Sequence, residues 1–200
     1  ELGLALGKES RAFEVEVLLG PTMNIIRTPL NGRTFETFSE DPFFNGVIAS
    51  AYINGLQSEY VGASVKHFIA NNQEIKRQSV SAEISERALR EIYLPAFEKV
   101  VKESQPYTIM AAYNRINGIH ATEQRYIMND ILRGEFGFEG VLLSDWGGVK
   151  STAPSLKASL DLEMPGPGNY YEKPLRKALK KGVVTEQEID EAALRMIKLI

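Results

Sequence analysis

Short apolar runs alternate along this chain with longer stretches in which apolar positions return every third or fourth residue. The short runs are VEVLLG (15–20), ASVKHF (63–68), YTIMAAY (107–113), GVLLSDW (140–146) and SLDLEM (159–164), and they predict strands. The longer stretches predict helices. Asp41 followed by Pro42 supplies an N-cap and a first-turn proline for a helix running through FFNGVIASAYINGLQSEY. A second helix over 85–104 places Ile92, Ala96, Phe97 and Val100 on one face, with Pro95 marking a kink or break. Further helices are predicted over 124–136, over 170–182 and from Thr185 onward, where Thr185 and Glu188 have the spacing of a capping box. Asn114 and the Asn117–Gly118 pair read as turn chemistry, and the two Pro-Gly steps after Glu163 as a rigid loop.

Strands that are apolar on both faces and separated by helices indicate parallel βα units. Two α/β architectures compete. An open doubly wound sheet usually carries a glycine-rich turn after its first strand, and LLGPTMNIIR has no such fingerprint. Polar residues instead sit at several strand ends: Lys66 and His67, Tyr113 and Asn114, Asp145 and Trp146, and Glu163. Chemistry gathered from many strand ends is the mark of a (β/α) barrel of the TIM type. A full barrel has eight strands, so the expected fold is α/β, a (β/α) TIM-type barrel that is incomplete in this chain. Glu1 stands where a Met would start a gene product, and a helix is already under way. A chain cut from a longer one is the expectation.

Composition narrows the function. The 200 residues carry a net charge of −3 with no basic stripe, which argues against nucleic acid as a partner. With no cysteine and two histidines, a disulfide framework and a His- or Cys-based metal centre are both disfavoured, and no cofactor is expected. No apolar run approaches the ~18 residues of a spanning helix, and no leader is visible. The expected partner is therefore a small molecule rather than a membrane, with a soluble, cytoplasmic location favoured.

Asp145 is the most informative residue. A carboxylate at the end of a buried strand costs several kcal/mol if unpaired, and its plain role would be an N-cap. The only tryptophan, Trp146, follows it. An indole face suits the C–H bonds of a pyranose, and the neighbouring carboxylate could attack C1. Arg33, in GRTFETFSEDP, could reach inward as a fork to a hydroxyl or carboxylate. Lys66 and His67, followed by Asn71, Asn72, Gln73 and Glu74, form a set of donors and acceptors suited to sugar hydroxyls. Tyr113 is either a core ring with its hydroxyl at the rim or a hydrogen-bond partner of the Asp145 carboxylate. Arg77 is read as balancing Glu74, and His120 as structural.

Taken together these segments resemble glycoside hydrolase family 3, the β-glucosidase family. The resemblance runs in order through LLGPTMNIIRTPLNGRTFETFSEDP, KHFIANNQE, SERALREIYLPAFEKVV, MAAYNRING and VLLSDWGG. It implies a (β/α) barrel followed by an α/β sandwich domain, and removal of terminal β-linked sugars with retention. It implies Asp145 as nucleophile, Trp146 as a stacking platform, Arg33, Lys66 and His67 as ligands of sugar hydroxyls, and Tyr113 beside the nucleophile. Two departures stand out. The family's upstream sugar-binding Asp and its usual acid/base Glu, from the second domain, have no counterpart here. The loop IANNQEIKRQS also lacks the Asp-x-His dyad of the hexosaminidase branch.

The expected function is that of a retaining exo-β-glycosidase acting on a β-glucoside or β-linked oligosaccharide, with glucose or xylose as the sugar. The chain would hold the nucleophile, and a second domain of the same protein the proton donor. Glu36, Glu74, Glu83 and Glu163 are acid candidates only by elimination. Two other readings stay open: a Schiff-base aldolase using Lys66, and a sugar-binding module without catalysis.

Overall fold

A computed structural model describes all 200 residues. Helix α1 (Leu2–Ala12) leads to β1 (Val17–Leu18) and, after a long loop, to α2 (Pro42–Gln57). Strand β2 (Gly62–Phe68) follows, then a short strand β3 (Ser81–Ala82). The next helical segment runs through α3 (Glu86–Ala88), a π-helical turn (Leu89–Tyr93) and α4 (Pro95–Ser104). After β4 (Thr108–Ala111), strands β5 (Arg115–Ile116) and β6 (Ile119–His120) form a hairpin around Asn117 and Gly118, both at positive φ. A π-helical segment (Tyr126–Glu135) precedes β7 (Val141–Ser144), and α5 (Ala153–Lys157), α6 (Lys173–Lys180) and α7 (Glu186–Leu199) complete the order. No helix is long and apolar enough to cross a membrane.

The main sheet is parallel throughout, in the order β1-β2-β4-β7. The predicted strand over 159–164 is reduced to a single parallel bridge between Leu143 and Leu162. The predicted strand over 15–20 keeps only a two-residue ladder. The expected incomplete barrel thus takes the form of an open parallel sheet, and no closed barrel forms among these strands. β3, β5 and β6 make a second, three-stranded sheet that the alternation did not predict.

Successive residues of β4 point to opposite faces, and both faces are buried. Ile109 and Ala111 join Ala63, Val65, Leu142, Ile53, Phe97 and Val100 in the main core, between the sheet and α2 and α4. Phe68 meets Phe97 edge-on, with ring centroids 5.0 Å apart. Met110, Val141 and Leu143 face the other way, against Leu162, Met164, Met196 and Leu199. α1 lies so close to α2 that a Cβ at Gly3 would come within 2.1 Å of the Tyr52 carbonyl oxygen. Only glycine allows that approach.

The predicted caps form. The Asp41 carboxylate accepts from the Phe43 and Phe44 amides, and Thr185 and Glu188 close a reciprocal box. The 85–104 prediction differs in one respect. The π turn inserts an extra residue into the helix just before Pro95, which rotates the buried face. Tyr93 and Leu94 turn inward and Ile92 is left 41% exposed.

One ion-pair network ties the later elements together. The Asp161 carboxylate is fully buried, 2.6 Å from Arg133 and 2.8 Å from Arg195, and it also accepts the Leu142 amide at 2.8 Å. Burial pushes the Asp161 carboxyl above its ordinary value although both guanidiniums oppose this. Removing one partner of a buried pair costs ~3–5 kcal/mol because the other charge is left behind. Arg195 can turn toward solvent, so Asp161→Asn is expected near the low end, about 3 kcal/mol. Urea unfolding checks this; a loss below about 0.5 kcal/mol would show that the network carries no stability.

Candidate active site

The parallel ladder brings the C-terminal ends of β2, β4 and β7 to one edge of the sheet. Lys66 pairs in register with Met110, but the next partner of Ala111 is Phe68. His67 is therefore an extra residue, a bulge in β2. Bulges re-aim side chains, and this one lets two consecutive residues, Lys66 and His67, line the same cavity while Phe68 returns to the core.

That cavity holds about 180 Å3 and is lined by Leu19, Arg33, Lys66, His67, Arg77, Met110, Asp145 and Trp146. It is smaller than the ~300–1,000 Å3 typical of drug-sized ligands, which suits one small polar ring. Larger hollows exist, such as one of about 400 Å3 between Gln105–Tyr107 and the end of α7. They gather no comparable set of reactive groups.

Asp145 follows β7 directly and is 9% exposed. Its Oδ1 accepts the Trp146 amide at 2.7 Å, and its Oδ2 lies 3.4 Å from His67 Nε2. The turn carrying it is held from behind. Gly147 donates to the Met164 carbonyl, and Met164 donates to the Ser144 hydroxyl. The Tyr113 hydroxyl donates to the Trp146 carbonyl at 2.8 Å. Burial, and then the negative charge of Asp145, push the Tyr113 phenol up to about 12. Trp146 keeps 43% of its surface exposed.

Three cations share the cavity with this carboxylate, and two have acidic partners. Arg33 pairs with Glu36, which also accepts from Thr22 at 2.8 Å. Arg77 pairs with Glu74 at 2.8 Å and lies 4.9 Å from the centre of the Tyr113 ring. Burial opposes ionisation of Glu36, but its bonds to Arg33 and Thr22 outweigh this and hold its pKa below the ordinary value. Burial lowers the Lys66 pKa, and Glu36 and Asp145 resist the fall. Burial likewise holds His67 well below its ordinary value, and the charges of Arg33, Lys66 and Arg77 add to it, so the ring is neutral at pH 7.

The five residues Arg33, Lys66, His67, Asp145 and Trp146 thus meet around one space, with Tyr113 hydrogen-bonded beside them. Arg77 was assigned in the sequence only to Glu74, yet it lines the same cavity. Asn24 was not singled out at all, though it binds His67. A lone Asn inside the apolar run TMNII was the available signal, because a buried amide must find partners. The four acid candidates are all engaged. Glu36 and Glu74 serve the arginines, and Glu83 bonds Ser81 at the surface. Glu163 accepts the Asn169, Tyr170 and Tyr171 amides.

Comparison with known proteins identifies the family. The model of the glycosyl hydrolase family 3 N-terminal domain matches residues 1–199. Beta-glucosidase B of Emericella nidulans is 50% identical over 200 residues, covering 100% of this chain and 24% of that protein. An exo-alpha-(1->6)-L-arabinopyranosidase of Bifidobacterium longum is 48% identical over all of this chain and 26% of its own length. Among solved structures, the GH3 beta-glucosidase of Bifidobacterium adolescentis superposes with a TM-score of 0.94 at 48% identity, over 98% of this chain and 29% of that one. Beta-glucosidase 3B of Thermotoga neapolitana, in complex with glucose, superposes with a TM-score of 0.94 at 44% identity, over 99% of this chain and 29% of that one. The chain spans about a quarter of the length of the curated relatives it matches. With a family model covering nearly every residue, the chain belongs to glycosyl hydrolase family 3, as its N-terminal domain.

Proposed function

We propose that this chain supplies the nucleophile and the sugar-binding wall of a retaining β-glucosidase. The observation that carries the reading is the small cavity at the strand ends, where one carboxylate, Asp145, faces Arg33, Lys66, His67, Arg77 and Trp146. The parallel sheet is read as an arc of a (β/α) barrel, with this cavity on its catalytic face.

In this mechanism Asp145 Oδ2 attacks the anomeric carbon. The bond from C1 to the leaving oxygen breaks, and that oxygen takes a proton from a second carboxylic acid. The resulting glycosyl ester on Asp145 is hydrolysed when water attacks C1. The second carboxylate, now deprotonated, accepts the proton of that water, and Asp145 leaves with its bonding pair. The two carboxyl groups need a separation of ~5–5.5 Å. Glu36, Glu74, Glu83 and Glu163 are each engaged by other partners, so the acid/base is assigned to a further domain of the same protein. Lys66, Arg33 and Arg77 donate to sugar hydroxyls, Trp146 covers one face of the ring, and Tyr113 holds the Trp146 carbonyl. Terminal β-D-glucosyl groups are the assigned substrate; relatives named beta-glucosidase and the glucose complex of one of them support that choice.

The chain can be tested with a dinitrophenyl β-glucoside, whose leaving group needs little protonation. A hexosyl adduct on the peptide containing Asp145 is expected by mass spectrometry, and Asp145→Asn is expected to abolish it. In a protein that turns over, the same variant should lose at least three orders of magnitude in kcat, because an amide cannot be the nucleophile. Retention of a tenth of the rate would remove Asp145 from the role. Borohydride trapping of Lys66 with a carbonyl substrate would favour an aldolase instead, and sugar binding without any adduct would favour a binding module.

Lys66→Ala is expected to lower the rate of adduct formation by about 10- to 100-fold, the worth of ~1.5–3 kcal/mol for a charged hydrogen bond. The deficit should shrink for a deoxy sugar lacking the partner hydroxyl. An equal deficit for every deoxy sugar would mean that Lys66 does not touch the substrate. Turnover of an unactivated disaccharide by this chain alone is expected to be absent, and its detection would place the acid/base within residues 1–200.

A further inference from the structure

Asn24 is 4% exposed and lies between β1 and the Arg33 loop. Its Nδ2 donates to the His67 carbonyl at 2.8 Å, and its Oδ1 accepts the His67 main-chain amide at 3.0 Å. These two bonds set the orientation of the carboxamide, since a flipped amide would put donor against donor and acceptor against acceptor. The same Oδ1 lies 3.3 Å from His67 Nδ1. An acceptor in that position requires the proton of the neutral imidazole to sit on Nδ1.

The other side of the ring agrees. His67 Nε2 lies 2.9 Å from Arg33 Nη1, which is always a donor, so Nε2 must offer a lone pair. The 3.4 Å approach of Nε2 to Asp145 Oδ2 is then a contact of two acceptors, and no hydrogen bond forms there. The alternative tautomer would donate from Nε2 to Asp145 and draw charge from the oxygen that attacks. It would also face Arg33 with an N–H and leave Asn24 Oδ1 opposed to a bare Nδ1.

We propose that Asn24 is a positioning residue of this site: by clamping both main-chain groups of His67 and its Nδ1 proton, it makes His67 a hydrogen-bond acceptor and leaves the Asp145 oxygen free for attack. A sugar hydroxyl entering the cavity then donates to His67 Nε2, in the place the Arg33 guanidinium fills here. This rests on the glycosidase reading for its consequence, while the tautomer itself is independent of it.

The test uses nitrogen-15 histidine in this chain. It has two histidines, His67 and His120, so a His120→Gln variant assigns the signals. Two-bond proton–nitrogen correlations at pH 7 should show His67 protonated at Nδ1 and bare at Nε2. Asn24→Asp keeps an acceptor at Nδ1, loses the donor to the His67 carbonyl and adds a negative charge that favours the imidazolium, so the Nδ1 proton should remain and Nε2 should gain one. Asn24→Ala should shift His67 toward the Nε2 proton and slow labelling of Asp145 by a dinitrophenyl 2-deoxy-2-fluoroglucoside about tenfold, as expected for one lost hydrogen bond. An Nε2-protonated or doubly protonated His67 in the unaltered chain would overturn the proposal, as would an unchanged spectrum in Asn24→Ala. If Asn24→Ala does not fold, the unaltered chain and Asn24→Asp still decide it. Absence of any label in the unaltered chain would instead overturn the glycosidase reading, whatever the tautomer.

Discussion

The in-register parallel ladder through β2, β4 and β7 is the constraint on which the site depends. It makes three strands end together, with Lys66 opposite Met110 and Ala111 opposite Ser144. A strict period of two would send Lys66 and His67 to opposite faces of the sheet. The bulge at His67 breaks that period for one residue. The core feels little of it, because Phe68 returns to its place against Phe97. Local irregularity in the ladder is thus what turns a buried strand into a wall of the cavity.

Electrostatics decides how the cavity can be used. Three cations around one carboxylate would repel one another strongly in a small, partly dry space. Glu36 and Glu74 screen two of them from outside the cavity, and the third, Lys66, has its pKa lowered by burial. A neutral His67 adds a polar group without adding a fourth positive charge. The donors therefore outnumber the acceptors in the cavity. Such a balance favours a ligand rich in hydroxyl oxygens over a cation.

Much of this was legible in the sequence, and the exceptions have physical causes. Apolar periodicity found the main strands because both of their faces are buried, and the caps at Asp41 and Thr185 are local chemistry that needs no tertiary partner. The π turn before Pro95 was not legible. An inserted helical residue has no composition of its own, and it exchanged Ile92 for Tyr93 on the buried face. The second sheet was missed because each of its strands is two residues long. Arg77 and Glu74 form a pair three residues apart, which looks the same in a sequence whether it lies on a surface or at the rim of a cavity. Asn24 meets His67 across 43 positions, and only the fold brings them together.

The segment after Leu160 shows how little regular structure the site requires for rigidity. It contributes a single bridge to the sheet, yet it fixes the Asp145 turn through Met164, which bonds Gly147 and Ser144. Glu163 gathers three backbone amides of the loop that follows, and Asp161 ties the same segment to Arg133 and Arg195. Two buried carboxylates at alternate positions therefore do what a longer ladder would otherwise do. Because each is satisfied by several donors, the segment can bend away from the sheet without leaving orphaned polar groups. The Asp145 turn is anchored from behind by this segment, while Trp146, with 43% of its surface free, keeps the opposite side open to a ligand.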